Sequence, residues 1–146
     1  MIIPDANLLL YAYDSDSPFH KASARWWAKL LSGHEPVGLC SVVIFSFLRL
    51  ATHPKVFTRP MTVGEATKRI QAWIDRPNVR VLYPGPKHFA AVCALLEAAG
   101  TAGNLVSDAQ IAALALEYGA EIHTADTDFA RFKGLKWKNP LVARIV

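Results

Sequence analysis

The chain opens with the segment MIIPDANLLLYAY, residues 1–13, in which one acidic residue separates two apolar runs. The run Ile2-Ile3-Pro4 is short and apolar, which is typical of a buried strand in a parallel sheet. The apolar run from Asn7 to Tyr13 is long enough to predict a helix. Asp5 therefore lies at the carboxyl end of a predicted strand, where open α/β sheets bind their ligands. It also needs a partner, because an unpaired carboxylate close to a core is costly.

Beyond this segment, short apolar runs continue to alternate with helical patterns. Four more strands are predicted, at residues 37–40, 79–83, 121–124 and, at the sheet edge, 137–141. Strands that alternate with helices predict a parallel sheet covered on both faces, which is a three-layer α/β/α sandwich. No linker or low-complexity stretch divides the chain, so residues 1–146 are predicted to form a single domain.

Two of the helices are predicted to begin at serine caps. Ser17 followed by Pro18 predicts an N-cap and first helical residue, and Ser41 predicts a cap for a helix over residues 42–51. The second helix is apolar nearly all round, which predicts burial on every side. The first helix is predicted to bury one face with residues spaced by four, namely Ala22, Trp26 and Leu30.

The composition excludes several classes of protein. Hydrophobic residues make up 52% of the chain, which argues against disorder. A formal net charge of +4 is compatible with an anionic partner such as nucleic acid, although alone it is weak support. Cys40 and Cys93 lie in apolar surroundings and are predicted to be free buried thiols, with no zinc-ligand spacing. The sequence shows no signal peptide or membrane-spanning run, which favours a cytoplasmic location.

Further carboxylates fall where the predicted topology brings segments together. Asp126 and Asp128 follow the fourth predicted strand, and Asp108 lies in the first turns of a helix, four residues after Asn104. Carboxylates close together raise one another's pKa, and a hard divalent cation such as Mg²⁺ relieves that repulsion. Both residues also have simpler explanations. Asp128 could be the N-cap of a short helix, and Asp108 could be an acid at a helix start, where its charge interacts favourably with the helix dipole.

The combination of these motifs resembles the PIN domain family. The resemblance rests on three segments in the same order and spacing, which are residues 1–12 around Asp5, residues 103–115 around Asp108, and residues 123–129 around Asp126. The resemblance covers essentially the whole chain. Within the family, the sequence is most similar to the VapC toxins of bacterial toxin–antitoxin pairs. His20 and the run FLRLATHP, residues 47–54, also suit that group.

This resemblance implies a five-stranded parallel sheet and an endoribonuclease that depends on Mg²⁺, with Mn²⁺ as a possible substitute. It implies that Asp5, Asp108 and Asp126 hold the metal, with Asp128 as a further acid and Asn104 as a supporting polar residue. It also implies an RNA substrate, a homodimer, and inhibition by a cognate antitoxin protein that occupies the active-site groove.

One position departs from the family pattern. Where the family commonly has Glu, just before its Phe-Leu-Arg segment, this chain has Ser46. A hydroxyl supplies no charge, so weaker or single-metal binding follows as a hypothesis. The alternative function is therefore a catalytically weak RNA- or antitoxin-binding protein. A metal-dependent phosphatase is a third hypothesis. Arg49 lies three residues on, where it could meet a phosphate, a carboxylate of the site, or an ion-pair partner at the helix end.

Other side chains that could take part in chemistry are predicted to be structural. His20 and His123 could act as bases beside the carboxylates, but structural roles are favoured for both. Trp137 stands between Lys136 and Lys138 and could stack on a base, whereas packing of an edge strand is the simpler interpretation.

Overall fold

The computed structural model describes residues 1–142 and contains five strands and six α-helices in alternation. A 3₁₀ helix, Thr127–Arg131, lies between the last two strands. The strands are β1 Ile2–Pro4, β2 Val37–Cys40, β3 Val79–Leu82, β4 Glu121–His123 and β5 Trp137–Lys138. The helices are α1 Ala6–Tyr13, α2 His20–Ser32, α3 Ser41–Ala51, α4 Val63–Ile74, α5 His88–Ala99 and α6 Leu105–Tyr118.

All neighbouring strands are parallel, in the order β3-β2-β1-β4-β5. Every carboxyl end therefore lies at the same edge of the sheet, and β1 lies at its centre. In the register of β1 and β4, Pro4 pairs with His123, so the next residues along, Asp5 and Thr124, lie side by side. The predicted five-stranded α/β fold is thus confirmed, and the sheet delivers polar residues to one edge.

The central strands are buried at almost every position, as expected for strands with helices on both faces. Helix α1 packs against α2 and α3, α3 packs against α4, and α5 packs against α6. Trp73 of α4 lies 4.7 Å from Phe47 of α3 between ring centroids, within an aromatic cluster that also contains Trp27 and Tyr13. Within residues 1–142, no helix is both long and apolar enough to span a membrane.

The predicted start of α2 is wrong by two residues. The helix begins at His20, because the Ser17 hydroxyl accepts the Phe19 amide and closes a local turn instead of capping the helix. The buried face of α2 carries Ser23, Trp27 and Leu30 rather than the predicted Ala22, Trp26 and Leu30.

Predictions for α3, for the edge strand and for Cys93 also need correction. Ser41 is the first residue of α3 and makes no capping hydrogen bond, and the helix is buried only along Val43, Phe47 and Ala51. On its opposite side Phe45 is 64% exposed. The edge strand β5 covers two residues rather than five, because Asn139 turns the chain by accepting the Leu141 amide. Cys40 is a buried free thiol, as predicted, but the free thiol of Cys93 is only partly buried.

Candidate metal centre

Asp5 is held rigidly at the carboxyl end of β1. Its side chain is only 8% exposed. One carboxylate oxygen accepts the Ala6 amide at 2.7 Å, which caps α1, and the other accepts the Thr124 hydroxyl at 2.7 Å. Burial raises the pKa of Asp5, while these two hydrogen bonds oppose the rise and the Asp126 charge adds to it. The carboxylate is therefore fixed in direction and costly to ionise without a cation.

Thr124 connects Asp5 to the next acidic segment. While it donates to Asp5, its hydroxyl oxygen accepts the Asp126 amide at 2.9 Å. Asp126 in turn accepts the Asp128 amide at 2.8 Å through its side chain and caps the 3₁₀ helix. The alternative in which Asp128 is the N-cap is therefore wrong, since Asp126 takes that role. Asp128 is left exposed in the first turn, with its carboxylate free to face the cluster.

Asp108, Asp126 and Asp128 converge at this edge. Each offers a carboxylate oxygen, and these oxygens all lie within 4.8 Å of one another. Burial, together with the charges of Asp5, Asp126 and Asp128, raises the pKa of Asp108 to about 7. Within residues 1–142 no cation pairs with any of these acids. Such a set of mutually repelling oxygen donors fits a hard divalent cation.

The raised pKa of Asp108 predicts a pH-dependent stability in metal-free protein. The folded state holds this proton up to about pH 7, whereas an unfolded aspartate releases it near pH 4, so stability is lost as pH rises between these values. After discounting for partial exposure, we expect Asp108→Asn to be more stable than the parent protein by about 1–2 kcal/mol at pH 8, and much less so at pH 5. Urea unfolding in EDTA measures this difference.

Asp16→Asn is the matched control for that measurement, because Asp16 is exposed in the turn at the far end of α1. A stability gain for Asp108→Asn that is equal at pH 5 and pH 8 would show that its carboxyl group titrates normally.

His123 has a structural role, as the sequence favoured. The Trp26 indole donates to Nδ1 at 3.1 Å, so Nε2 carries the proton and donates to Glu121 at 3.0 Å. Burial lowers the pKa of His123 and keeps the ring neutral, although Glu121 opposes that shift. The main-chain oxygen of His123 accepts the Asp5 amide at 2.9 Å. The Nδ1 atom of His20 lies 3.0 Å from the Tyr11 carbonyl oxygen, and the structural role of this residue stays a prediction.

The supporting residues named from the sequence lie on α3 and at the start of α6. Asn104 is the exposed N-cap residue of α6 and makes no capping hydrogen bond. Ser46 is partly buried on α3. Arg49 is exposed, and no carboxylate lies within 4.0 Å of it in the described part of the chain, so the predicted ion pair is not formed. Their roles stay predictions.

Sequence reasoning missed Thr124, which is fully buried and joins the two acidic segments. The residue was placed in a predicted strand without a functional assignment. Its position in the sequence could have indicated this role. A hydroxyl that follows a strand paired with β1 lies next to Asp5.

Comparisons with known proteins find relatives along nearly the whole chain. The PIN domain family profile matches residues 2–135. Ribonuclease VapC33 of Mycobacterium tuberculosis is 45% identical over 97% of this chain and 99% of its own length. Ribonuclease VapC37 of the same organism is 41% identical over 96% of this chain and 97% of its own length.

Solved structures resemble the fold at lower sequence identity. VapC20 of M. tuberculosis, a toxin that cleaves the sarcin-ricin loop, superimposes with a TM-score of 0.69 and 17% identity, covering 93% of this chain and 99% of its own. A VapBC-1 chain from nontypeable Haemophilus influenzae gives a TM-score of 0.67 and 21% identity over 96% of this chain and 98% of its own. The sequence matches, supported by this common fold, show that the chain belongs to the PIN domain family.

Proposed function

We propose that this protein is a metal-dependent endoribonuclease that acts as the toxin of a toxin–antitoxin pair. The observation that carries the proposal is the convergence of Asp108, Asp126 and Asp128 beside the buried Asp5. Relatives at 45% and 41% identity are named as ribonucleases, which supports the reaction class. The cluster is rich in negative charge, so it is unsuited to bind a phosphodiester unless a cation is present.

Mg²⁺ is the cation we propose, with Mn²⁺ as a substitute, held by Asp5, Asp108, Asp126 and Asp128. When bound, the ion supplies positive charge to the scissile phosphate and so stabilises negative charge that develops during hydrolysis. The protein contributes orientation. The Thr124 hydroxyl and the Ala6 amide fix Asp5, and the Asp128 amide fixes Asp126, so these ligands are ordered before the cation binds.

The test is cleavage of total cellular RNA by purified protein with Mg²⁺, with Mn²⁺ and with EDTA. We expect discrete products with either metal and none with EDTA, because the carboxylates alone repel the substrate. Salt-dependent RNA retention without metal-dependent turnover would instead support the catalytically weak binding protein. Hydrolysis of small phosphoesters with RNA left intact would support the hypothesis that the protein is a metal-dependent phosphatase.

Ser46 gives a prediction about the strength of metal binding. We propose that it stands where the family has a carboxylate, so Ser46→Glu should tighten Mg²⁺ binding, by about tenfold if the added charge contributes about 1.4 kcal/mol. Isothermal titration calorimetry of the two proteins measures the difference. Ser32→Glu is the control, since Ser32 is exposed at the end of α2. Equal affinities for the parent protein and Ser46→Glu would mean that position 46 lies outside the metal centre.

We also propose two protein partners. The first is a cognate antitoxin, supported by the likeness to VapBC structures. The second is another copy of this chain, supported by an apolar surface between α5 and α6 that is lined by Ala91, Leu95 and Leu116, of which Leu116 is 45% exposed. Lys87 and Glu117 line the same surface, and their opposite charges allow two copies to pair by a twofold axis. Light scattering should then give twice the 16.1 kDa mass of the chain.

We further propose that residues 1–146 form one domain, supported by the single continuous sheet; residues 143–146 lie outside the part described. An RNA substrate and a bacterial antitoxin also favour the cytoplasm as the place of action.

A further inference from the structure

The outer face of α3 carries an exposed aromatic ring beside an exposed cation. The buried residues of this helix are Val43, Phe47 and Ala51, so its opposite side faces solvent. On that side Phe45 is 64% exposed, and Arg49 follows one helical turn later. Residues four apart on a helix are neighbours on its surface. We call Phe45 and Arg49 together the α3 face.

The α3 face belongs to a segment that has positive charge only. Between Glu35 and Glu65 the chain contains no acidic residue, while Arg49, Lys55 and Arg59 are all exposed. Within residues 1–142 no carboxylate lies within 4.0 Å of any of these three cations. Their charge is therefore available to an anionic partner that reaches this side of the molecule.

The start of α3 adjoins the candidate metal centre. In the parallel pairing of β1 and β2, Ile2 is opposite Val37, which places Cys40 next to Asp5. Helix α3 begins at the following residue. With a rise of 1.5 Å per residue, the face extends about 12 Å from that point to Arg49. A chain of phosphates bound at the carboxylates can therefore continue along α3.

The carboxylates give the substrate little affinity of their own, since they attract a phosphate only through a cation. Binding energy must come from surfaces next to the site. An exposed aromatic ring beside a guanidinium is the combination with which proteins bind single-stranded nucleic acid, by stacking on a base and contacting the backbone. A regular duplex does not present a free base face to such a ring, because its bases are already stacked.

We infer that the α3 face binds an unpaired stretch of the RNA substrate next to the cleavage site, with Phe45 stacked on a base and Arg49 on a phosphate. This inference rests on the proposed ribonuclease function. The inference therefore assigns substrate-binding roles to Phe45 and Arg49, two residues of α3 that lie outside the carboxylate cluster's own ligand set. The contact is independent of the metal ligands, so it can be altered while the carboxylate cluster stays intact.

Fluorescence anisotropy with a short labelled single-stranded RNA tests this inference. Ca²⁺ replaces Mg²⁺ in the assay, to keep the carboxylates neutralised while turnover is slowed. We expect Phe45→Ala to weaken binding by about 5- to 100-fold, and Phe45→Trp to retain it. Arg49→Gln should lower the slope of log affinity against log salt by about 0.7. A blunt RNA duplex of the same sequence should bind the parent protein more weakly than the single strand.

Phe89→Ala and Arg80→Gln are the controls, because they remove an exposed ring on α5 and an exposed cation on β3. Equal RNA affinity for Phe45→Ala and Phe89→Ala would overturn the inference. So would a change in mass by light scattering for Phe45→Ala, which would assign the ring to contact between protein chains. Metal-dependent cleavage by the parent protein is measured in parallel. If cleavage occurs but Phe45 does not affect binding, only the inference fails, whereas absence of cleavage rejects the proposed function itself.

Discussion

Asp5→Asn is expected to lower Mg²⁺-dependent RNA cleavage by about 10²–10⁴-fold, since removing a ligand charge costs several kcal/mol of the stabilisation a metal provides. The substitution keeps the shape of the side chain and removes its charge. The remaining carbonyl oxygen can still cap α1 by accepting the Ala6 amide, as the carboxylate does at 2.7 Å. What is lost is the charge at the centre of the sheet edge, next to Thr124.

The same substitution should leave the metal-free fold intact. Burial raises the pKa of Asp5, so the ionised carboxylate is unfavourable in the folded protein, and a neutral amide avoids that cost. Thermal unfolding in EDTA should give a midpoint for Asp5→Asn close to that of the parent protein, because the relief of this cost offsets the loss of an acceptor for the Thr124 hydroxyl. Growth inhibition in cells should be lost together with cleavage.

Asp16→Asn provides the matched control, because it removes one exposed carboxylate in the turn after α1. It should cleave RNA at the parental rate. Cleavage by purified Asp5→Asn at a rate close to that of the control would reject Asp5 as a metal ligand. If Asp108→Asn and Asp126→Asn also kept full activity, the carboxylate cluster would be excluded as the catalytic centre.

The placement of the acids could be predicted because it follows from chain topology. Asp5 comes directly after β1 and Asp126 lies three residues after the end of β4, and parallel strands end at one edge whatever their exact register. Asp108 could be placed near the same edge because it lies in the first turn of the helix that precedes β4. The local sequence fixes that position. These features depend on periodicity and order, both of which are visible in the sequence.

The details that were missed depend on choices between competing hydrogen bonds. Ser17 can cap a helix or close a turn, and the structure uses the turn. Asp126 and Asp128 can each cap the short helix. The Thr124 hydroxyl accepts the Asp126 amide and holds this residue in place, so that Asp126 is the cap. The burial of α3 was overestimated for a different reason. Composition alone cannot tell which side of an apolar helix faces the core, so the exposure of Phe45 appeared only in three dimensions.

The packing behind the site is also a source of testable effects. Trp73 is 2% exposed, and its ring contacts Phe47 of α3 and Trp27 of α2 at centroid distances of 4.7 and 5.5 Å. Its indole N–H donates to the Tyr13 hydroxyl at 2.8 Å, at the end of α1. This side chain therefore ties together α1 and α3, the two helices that begin at the carboxyl edge of the sheet beside Asp5.

Trp73→Ala should therefore lower the free energy of unfolding by about 3–5 kcal/mol, because it leaves a large cavity and an unpaired Tyr13 hydroxyl. That loss is a large part of the roughly 5–15 kcal/mol typical of a small domain. Urea unfolding followed by circular dichroism measures it, since tryptophan fluorescence would itself be altered. Trp73→Phe keeps a ring in contact with Phe47 and should lose less. Trp137→Ala, on the partly exposed edge strand, is the control, and an equal loss there would mean that the aromatic cluster has no special role in holding α1 and α3 in place.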